Sequence, residues 1–171
     1  DASDTKLPLV RLIGSAANQD GRSSSLTAPN GPSQQATVQT AIKESEVKVE
    51  HYERLEMHGT GTSLGDPIEV GAAVAVLVRP QSSPNPLTLM AAKSAYGHSE
   101  AGSGMLGVVR AIAGRTHMCS FRLISLRTVN AYVGETLKGS CQVLVLREDV
   151  PYPTNGAYAL SVSGVSSFAF Q

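Results

Sequence analysis

The 171-residue chain has no tryptophan, few aromatic residues of any kind (5%), two cysteines, and only 16% charged residues. Each scarcity excludes something. Without tryptophan the chain lacks the commonest aromatic anchor of protein interfaces. Two cysteines, Cys119 and Cys141, cannot make the disulfide framework of a small secreted domain, so a reducing, cytoplasmic setting is expected. The 14 Lys and Arg are balanced by 14 Asp and Glu, with no basic run. Nucleic acid is therefore not an expected partner, because such affinity rests on neutralising several phosphates at once. No segment approaches the ~20 apolar residues of a membrane span, and the start, Asp1 to Lys6, is polar where a signal peptide would be basic and then apolar. What is present is ample apolar content (42% hydrophobic) for one domain with its own core, with 16 Gly and 9 Pro marking a loop-rich fold.

Along the chain, Leu7 to Ala17 reads as a buried strand. Asn18 to Gln35 (NQDGRSSSLTAPNGPSQQ) is then rich in Gly, Pro, Asn and Ser, and a loop of this length in a compact domain is uncommon unless it is functional or disordered. Pro32 and Ser33 open a helix that ends near Ser45. Tyr52 to Met57 reads as a strand running into HGTGTSLGDP, a glycine-punctuated turn before a helix that Pro67 opens at its first position. Leu87 to Ala92 is the next strand, followed by KSAYGHSEAGSG and a helix from Glu100 to about Ala113 with Ser99 as its cap. Strands follow at Ser120 to Leu126, Val143 to Leu146 and Tyr158 to Phe168. The alternation predicts an α/β domain with a mixed sheet covered by helices.

Two histidines occupy equivalent places. His58 ends a strand and precedes a glycine-rich turn; His98 lies in the turn five residues after Lys93. Strand ends that feed helices are where open α/β sheets assemble their sites. A lone histidine in a turn is most often a polar surface residue, but two with a lysine are a constellation. The positive end of a helix disfavours imidazolium, which suits His98 to act as a base or a donor. Lys93 closes an apolar strand, where a buried ammonium is costly without a partner. Asp66 and Glu69, three apart on one helix face, are candidate partners or simply favour the helix N-terminus. Thr60 and Thr62 place two hydroxyls suited to an amide-bearing chain. Cys119 and Cys141 lack the helix N-terminus or nearby cation of a reactive thiol, so packing explains both. His51 and His117 read as surface residues, and no metal site is expected.

EMHGTGTSLGDPIEVGA (Glu56 to Ala72) resembles the first histidine motif of β-ketoacyl synthases, and KSAYGHSEAGSG (Lys93 to Gly104) resembles the second. Gly14 to Gln35 is similar to the segment preceding them in type I polyketide synthases. LRTVN (Leu126 to Asn130) and SGVSSFAF (Ser163 to Phe170) follow in the family's order. The resemblance implies the C-terminal half of a thiolase-like α/β fold, residues 1–171 forming one domain, with the nucleophilic cysteine on an N-terminal half that has no counterpart in these residues. It implies decarboxylative condensation of acyl and malonyl thioesters, the malonyl unit riding on the phosphopantetheine arm of an acyl carrier protein rather than on a bound cofactor, and a homodimer.

The roles it implies are two imidazoles, His58 and His98, stabilising an enolate oxygen. Lys93 would orient His98, Thr60 and Thr62 would hold the pantetheine, Phe170 would gate the acyl channel, and Asp66 and Glu69 would give structural support. Ala169 and Gln171 stand where the family has glycines, which implies an altered gate loop. The isolated chain is expected to be inactive. Two alternatives remain open: a non-catalytic ketosynthase remnant serving as a docking or dimerisation module, and a degradative thiolase, against which the HGTGT and KSAYGH turns count.

Overall fold

The structure is a computed structural model that describes residues 9–19, 21, 28–77, 86–124, 126–138, 143–151 and 161–168. Helix α1 (Gly31–Ser45) starts as its sequence dictates: the Asn30 side chain accepts the Ser33 N–H at 3.1 Å, and Pro32 sits in the first turn. A 3₁₀ turn leads into β1 (Tyr52–Glu56), followed by α2 (Gly65–Val76), β2 (Leu87–Met90), the short α3 (Lys93–Tyr96) and α4 (Ser103–Thr116). Then come β3 (Cys119–Ser120), α5 (Ala131–Lys138), β4 (Val143–Val145), β5 (Val150–Pro151) and β6 (Val162–Val165).

The strands of the main sheet lie in the order β4-β2-β1-β6, and every pairing is parallel. Helical crossovers such as β1-α2-β2 return the chain to the same end of the sheet, so neighbouring strands must run the same way. Both faces of such a sheet are covered, which explains why β2 is buried at all four positions. Leu55 of β1 joins Val70 and Ala73 of α2, Leu87, Leu89 and Val133 of α5 in one apolar cluster, with Val38 and Ile42 of α1 packed on it. Leu87 is only 1% exposed, and burying a side chain of this size contributes about 1.5–3 kcal/mol. Successive strand side chains point to opposite faces, so Arg54 and Glu56 face the other way. Glu56 lies against Gly107 and Arg110 of α4, and Arg54 donates to Ser120 at 3.0 Å. One face of β1 is thus apolar and the other is a buried polar layer.

The α/β, thiolase-like class stands, with differences in detail. The parallel and antiparallel pairings expected within one mixed sheet are divided among the described residues: β3 pairs antiparallel with β5 in a separate ribbon. The ribbon is two residues long on each strand; beyond Ser120 the Arg122 N–H goes to the Asp149 side chain at 2.8 Å instead of to a strand carbonyl, so the strand expected over Ser120 to Leu126 ends at Ser120. The strand expected at Leu7 to Ala17 is irregular over 9–19, and Leu12 is 82% exposed. This segment runs over α1 instead, Ser15 N–H donating to Glu44 and Asn18 to the Ser33 carbonyl. Helix α5 was not expected; its signal was Asn130, whose side chain accepts the Tyr132 N–H at 2.9 Å. The last strand starts at Val162 within a stretch whose residues 152–160 lie outside the described ones, as do Cys141, Ala169, Phe170 and Gln171.

Candidate active site

Strands β2, β1 and β6 are adjacent and parallel, so their carboxyl ends meet at one edge. His58 follows β1, Lys93 and His98 follow β2, and Ser166 to Phe168 follow β6. Three turns far apart in sequence are brought together by the topology, as in other open parallel sheets.

The turn after β1 is held by one carboxylate. Glu69 of α2 accepts the His58 N–H at 2.7 Å on Oε1 and the Gly59 N–H at 2.9 Å on Oε2, and Ser166 Oγ donates to Oε1 at 2.6 Å. Gly59 has φ +50, and a Cβ there would lie 2.7 Å from that of Ala91, so only glycine fits. Burial raises the Glu69 pKa, against the opposing pull of the Gly59, Ser166 and His58 bonds. Asp66 turns to the same loop, accepting the Gly61 N–H at 3.1 Å; burial raises its pKa too. The Thr60 and Thr62 hydroxyls lie 3.2 Å apart, and Thr62 Oγ1 accepts the Gly65 N–H at 3.1 Å, closing the first turn of α2.

The His58 and His98 rings stand edge to face, centroids 5.5 Å apart, and Phe168 packs on the His58 ring at 5.7 Å. Lys93 Nζ lies 3.2 Å from His58 Nδ1. The ammonium thus meets His58, whereas the expectation gave it to His98. An ammonium has only donors, so Nδ1 of His58 accepts and Nε2 carries the hydrogen. His98 Nδ1 accepts the Glu100 N–H at 2.9 Å, with Ser103 Oγ at 3.1 Å, which leaves its Nε2 as the donor as well. The imidazole, not Ser99, caps this turn; Ser99 makes no side-chain cap bond. The His58 pKa is lowered to about 4, chiefly by burial, then by the charges of Lys93 and His98. The Lys93 pKa is lowered by burial, with Glu69 and Glu56 acting in the opposite direction.

The structure therefore gathers His58, His98 and Lys93, with Glu69 directly behind them and Asp66, Thr60 and Thr62 in the adjoining turn. Phe170 lies outside the described residues. Sequence reasoning missed Ser166 and Glu56, both within quoted motifs, and Arg110. Arg54 and Glu56 alternate with Leu55 and Met57, a pattern that carries no sign of burial on the polar side, yet both are buried. Cys119 sits in the ribbon, its thiol pKa raised by burial. Among the described residues no group of His, Cys, Asp and Glu is placed to hold a metal ion, and no helix is long and apolar enough to cross a membrane.

The parallel α/β sheet, with the turns that carry His58, Lys93 and His98 at its carboxyl edge, is that of a thiolase-like fold. The chain belongs to the β-ketoacyl synthase family: the family model described as beta-ketoacyl synthase, C-terminal domain, matches residues 9–118. It is similar to erythronolide synthase EryA2 of Saccharopolyspora erythraea, 38% identical over 165 residues. That match covers 93% of this chain and 4% of the relative. It is also similar to pikromycin polyketide synthase component PikAII of Streptomyces venezuelae, 36% identical over 94% of this chain and again 4% of the relative. The chain thus spans a small fraction of the curated relatives it matches. Among solved structures, the ketosynthase from module 6 of the bacillaene synthase from Bacillus subtilis 168 superimposes with a TM-score of 0.73 at 30% identity, over 85% of this chain and 26% of that one. A Streptomyces albus oxazolomycin ketosynthase domain, at 22% identity, shares the fold with a TM-score of 0.82 over 94% of this chain and 27% of that one.

Proposed function

We propose that this chain supplies the His-Lys-His part of a Cys-His-His ketosynthase site of a type I polyketide synthase, the cysteine coming from an N-terminal ketosynthase half. The observation that carries the reading is the paired imidazoles, each with Nδ1 engaged as an acceptor and Nε2–H left to donate. Two such donors meet the requirement of decarboxylative condensation. When the malonyl thioester loses carbon dioxide, the bonding pair becomes an enolate whose negative charge rests on the thioester oxygen, where fixed N–H donors act most strongly. The enolate carbon then attacks the acyl thioester on the cysteine and expels the thiolate. His58, neutral down to about pH 4, stays a hydrogen-bond donor of the required kind across the physiological range. Lys93 holds the His58 tautomer. Thr60 and Thr62 border the site and hold the pantetheine arm of an acyl carrier protein, and Phe170 gates the acyl chain.

The test mixes the chain with an N-terminal ketosynthase half bearing the reactive cysteine, an acyl donor and malonyl carrier protein, and measures β-ketoacyl product. The assembly is expected to condense, and the 171 residues alone are not. His58→Ala or His98→Ala removes one donor and is expected to lower kcat about 10²- to 10³-fold. Condensation at the unaltered rate by both variants would overturn the catalytic reading in favour of a docking or dimerisation module.

A further inference from the structure

Glu56 takes no part in the steps above, yet it is among the most completely buried side chains described, 1% exposed. It ends β1, two residues before His58. Its Oε1 accepts the N–H of Ala92, the residue preceding Lys93, and faces Arg110 Nη1 of α4 at 3.4 Å. Its own carbonyl accepts the Ser166 N–H at 2.9 Å. Arg110 is fixed in turn: Nη2 donates to the Arg122 carbonyl at 2.8 Å, and the guanidinium lies over the Phe121 ring at 5.5 Å. Gly107 lets α4 close on this carboxylate, since a Cβ there would meet Glu56 Cγ at 3.3 Å. A buried carboxylate with one oxygen in two interactions and the other, Oε2, without a hydrogen-bond partner among the described residues is costly, which calls for a role.

We propose that Glu56 is a positioning residue: one carboxylate ties the strand that delivers His58 to the turn that delivers Lys93 and, through Arg110, to the helix that follows His98. The proposal rests on the catalytic reading of His58 and Lys93. The Lys93 to His58 contact spans two separate turns, and Glu56 is the side chain that sets the offset between them, through strand β1 on one side and the Ala92 N–H on the other.

The test compares Glu56→Asp and Glu56→Gln in the assembled ketosynthase, with melting curves to establish folding and His58→Ala as reference. Asp keeps the charge for Arg110 but withdraws the acceptor from Ala92, whereas Gln keeps the length and an acceptor. The expected result is a loss in kcat of about 10- to 100-fold for Asp at nearly unchanged KM, the scale of a misplacement of about 1 Å, with Gln restoring most of the rate. The ¹⁵N shift of His58 Nδ1, which reports the Lys93 contact, is expected to move in Asp and not in Gln. A folded Asp variant with unaltered kcat and Nδ1 shift overturns the proposal, as does a folded Gln variant that loses as much as Asp. If His58→Ala itself leaves kcat unaltered, it is the catalytic reading that fails.

Discussion

At the scale of single residues, the depressed His58 pKa has a sign that stability measurements can read. The folded value of about 4 lies below the ordinary 6.5, so between these pH values the unfolded chain binds a proton that the folded chain does not. Unfolding therefore becomes easier as pH falls from about 6.5 towards 4, and this loss is absent above 6.5. Urea denaturation of the chain at pH 7.5 and pH 4.5 is expected to show a smaller decrease in His58→Gln than in the parent. The comparison isolates His58, because the raised carboxyls Glu69 and Glu56 act with the opposite sign in both proteins. Gly59 gives a second residue-scale prediction. Gly59→Ala adds a Cβ 2.7 Å from that of Ala91 at a left-handed φ, which costs about 1–2 kcal/mol in backbone strain before the clash is relieved. A lowered melting temperature, accompanied by displaced His58 amide resonances, is the expected outcome.

At the scale of elements, α4 explains why part of the fold was legible and part was not. Its inward residues, Ser103, Gly107, Arg110 and Gly114, follow a regular helical spacing, yet none is apolar, so hydrophobic periodicity points to the wrong face. The helix itself was readable from its length and its glycine-rich entry; its orientation depended on a buried partner, Glu56, that only the topology supplies. The same holds for the site. HGTGT and KSAYGH were legible because their glycines and histidines leave a local pattern, whereas the Glu69, Ser166 and Glu56 contacts join residues 97, 108 or 36 positions apart. The irregular 9–19 segment was misread because apolar content resembles a strand until its polar bonds to α1 are known. The polar layer is also brittle: Arg110→Met leaves Glu56 a buried, unpaired carboxylate, and removing one partner of such a pair costs about 3–5 kcal/mol. Chemical denaturation is expected to show that loss, larger than any truncation on the outward face of α4.

At the scale of the whole molecule, the outward face of α4 carries Met105, Val108 and Val109, all exposed, while its inner face is polar. Contiguous exposed apolar side chains on a helix mark a surface that another body covers, since water gains nothing from them. The solved ketosynthase at 30% identity is matched over 26% of its length, so most of a complete domain of that kind lies beyond the matched part. If the proposed N-terminal half seats on this helix, its burial joins the two parts of the site, because α4 begins five residues after His98, at Ser103, whose hydroxyl lies 3.1 Å from His98 Nδ1. Val109→Glu places a charge at the centre of that face without touching β1, β6 or the Glu56 to Arg110 pair. The melting curve of the chain is therefore expected to stay within about 0.5 kcal/mol of the parent, as for other surface substitutions. Affinity for the N-terminal half, followed by titration calorimetry, is expected to fall at least about tenfold, the effect of desolvating one uncompensated charge at an interface. Because the lost contact is apolar, raising the salt concentration should not restore it, whereas a contact broken by repulsion between surface charges would recover. Unaltered affinity would place the N-terminal half on another face and leave the α4 surface to a different occupant.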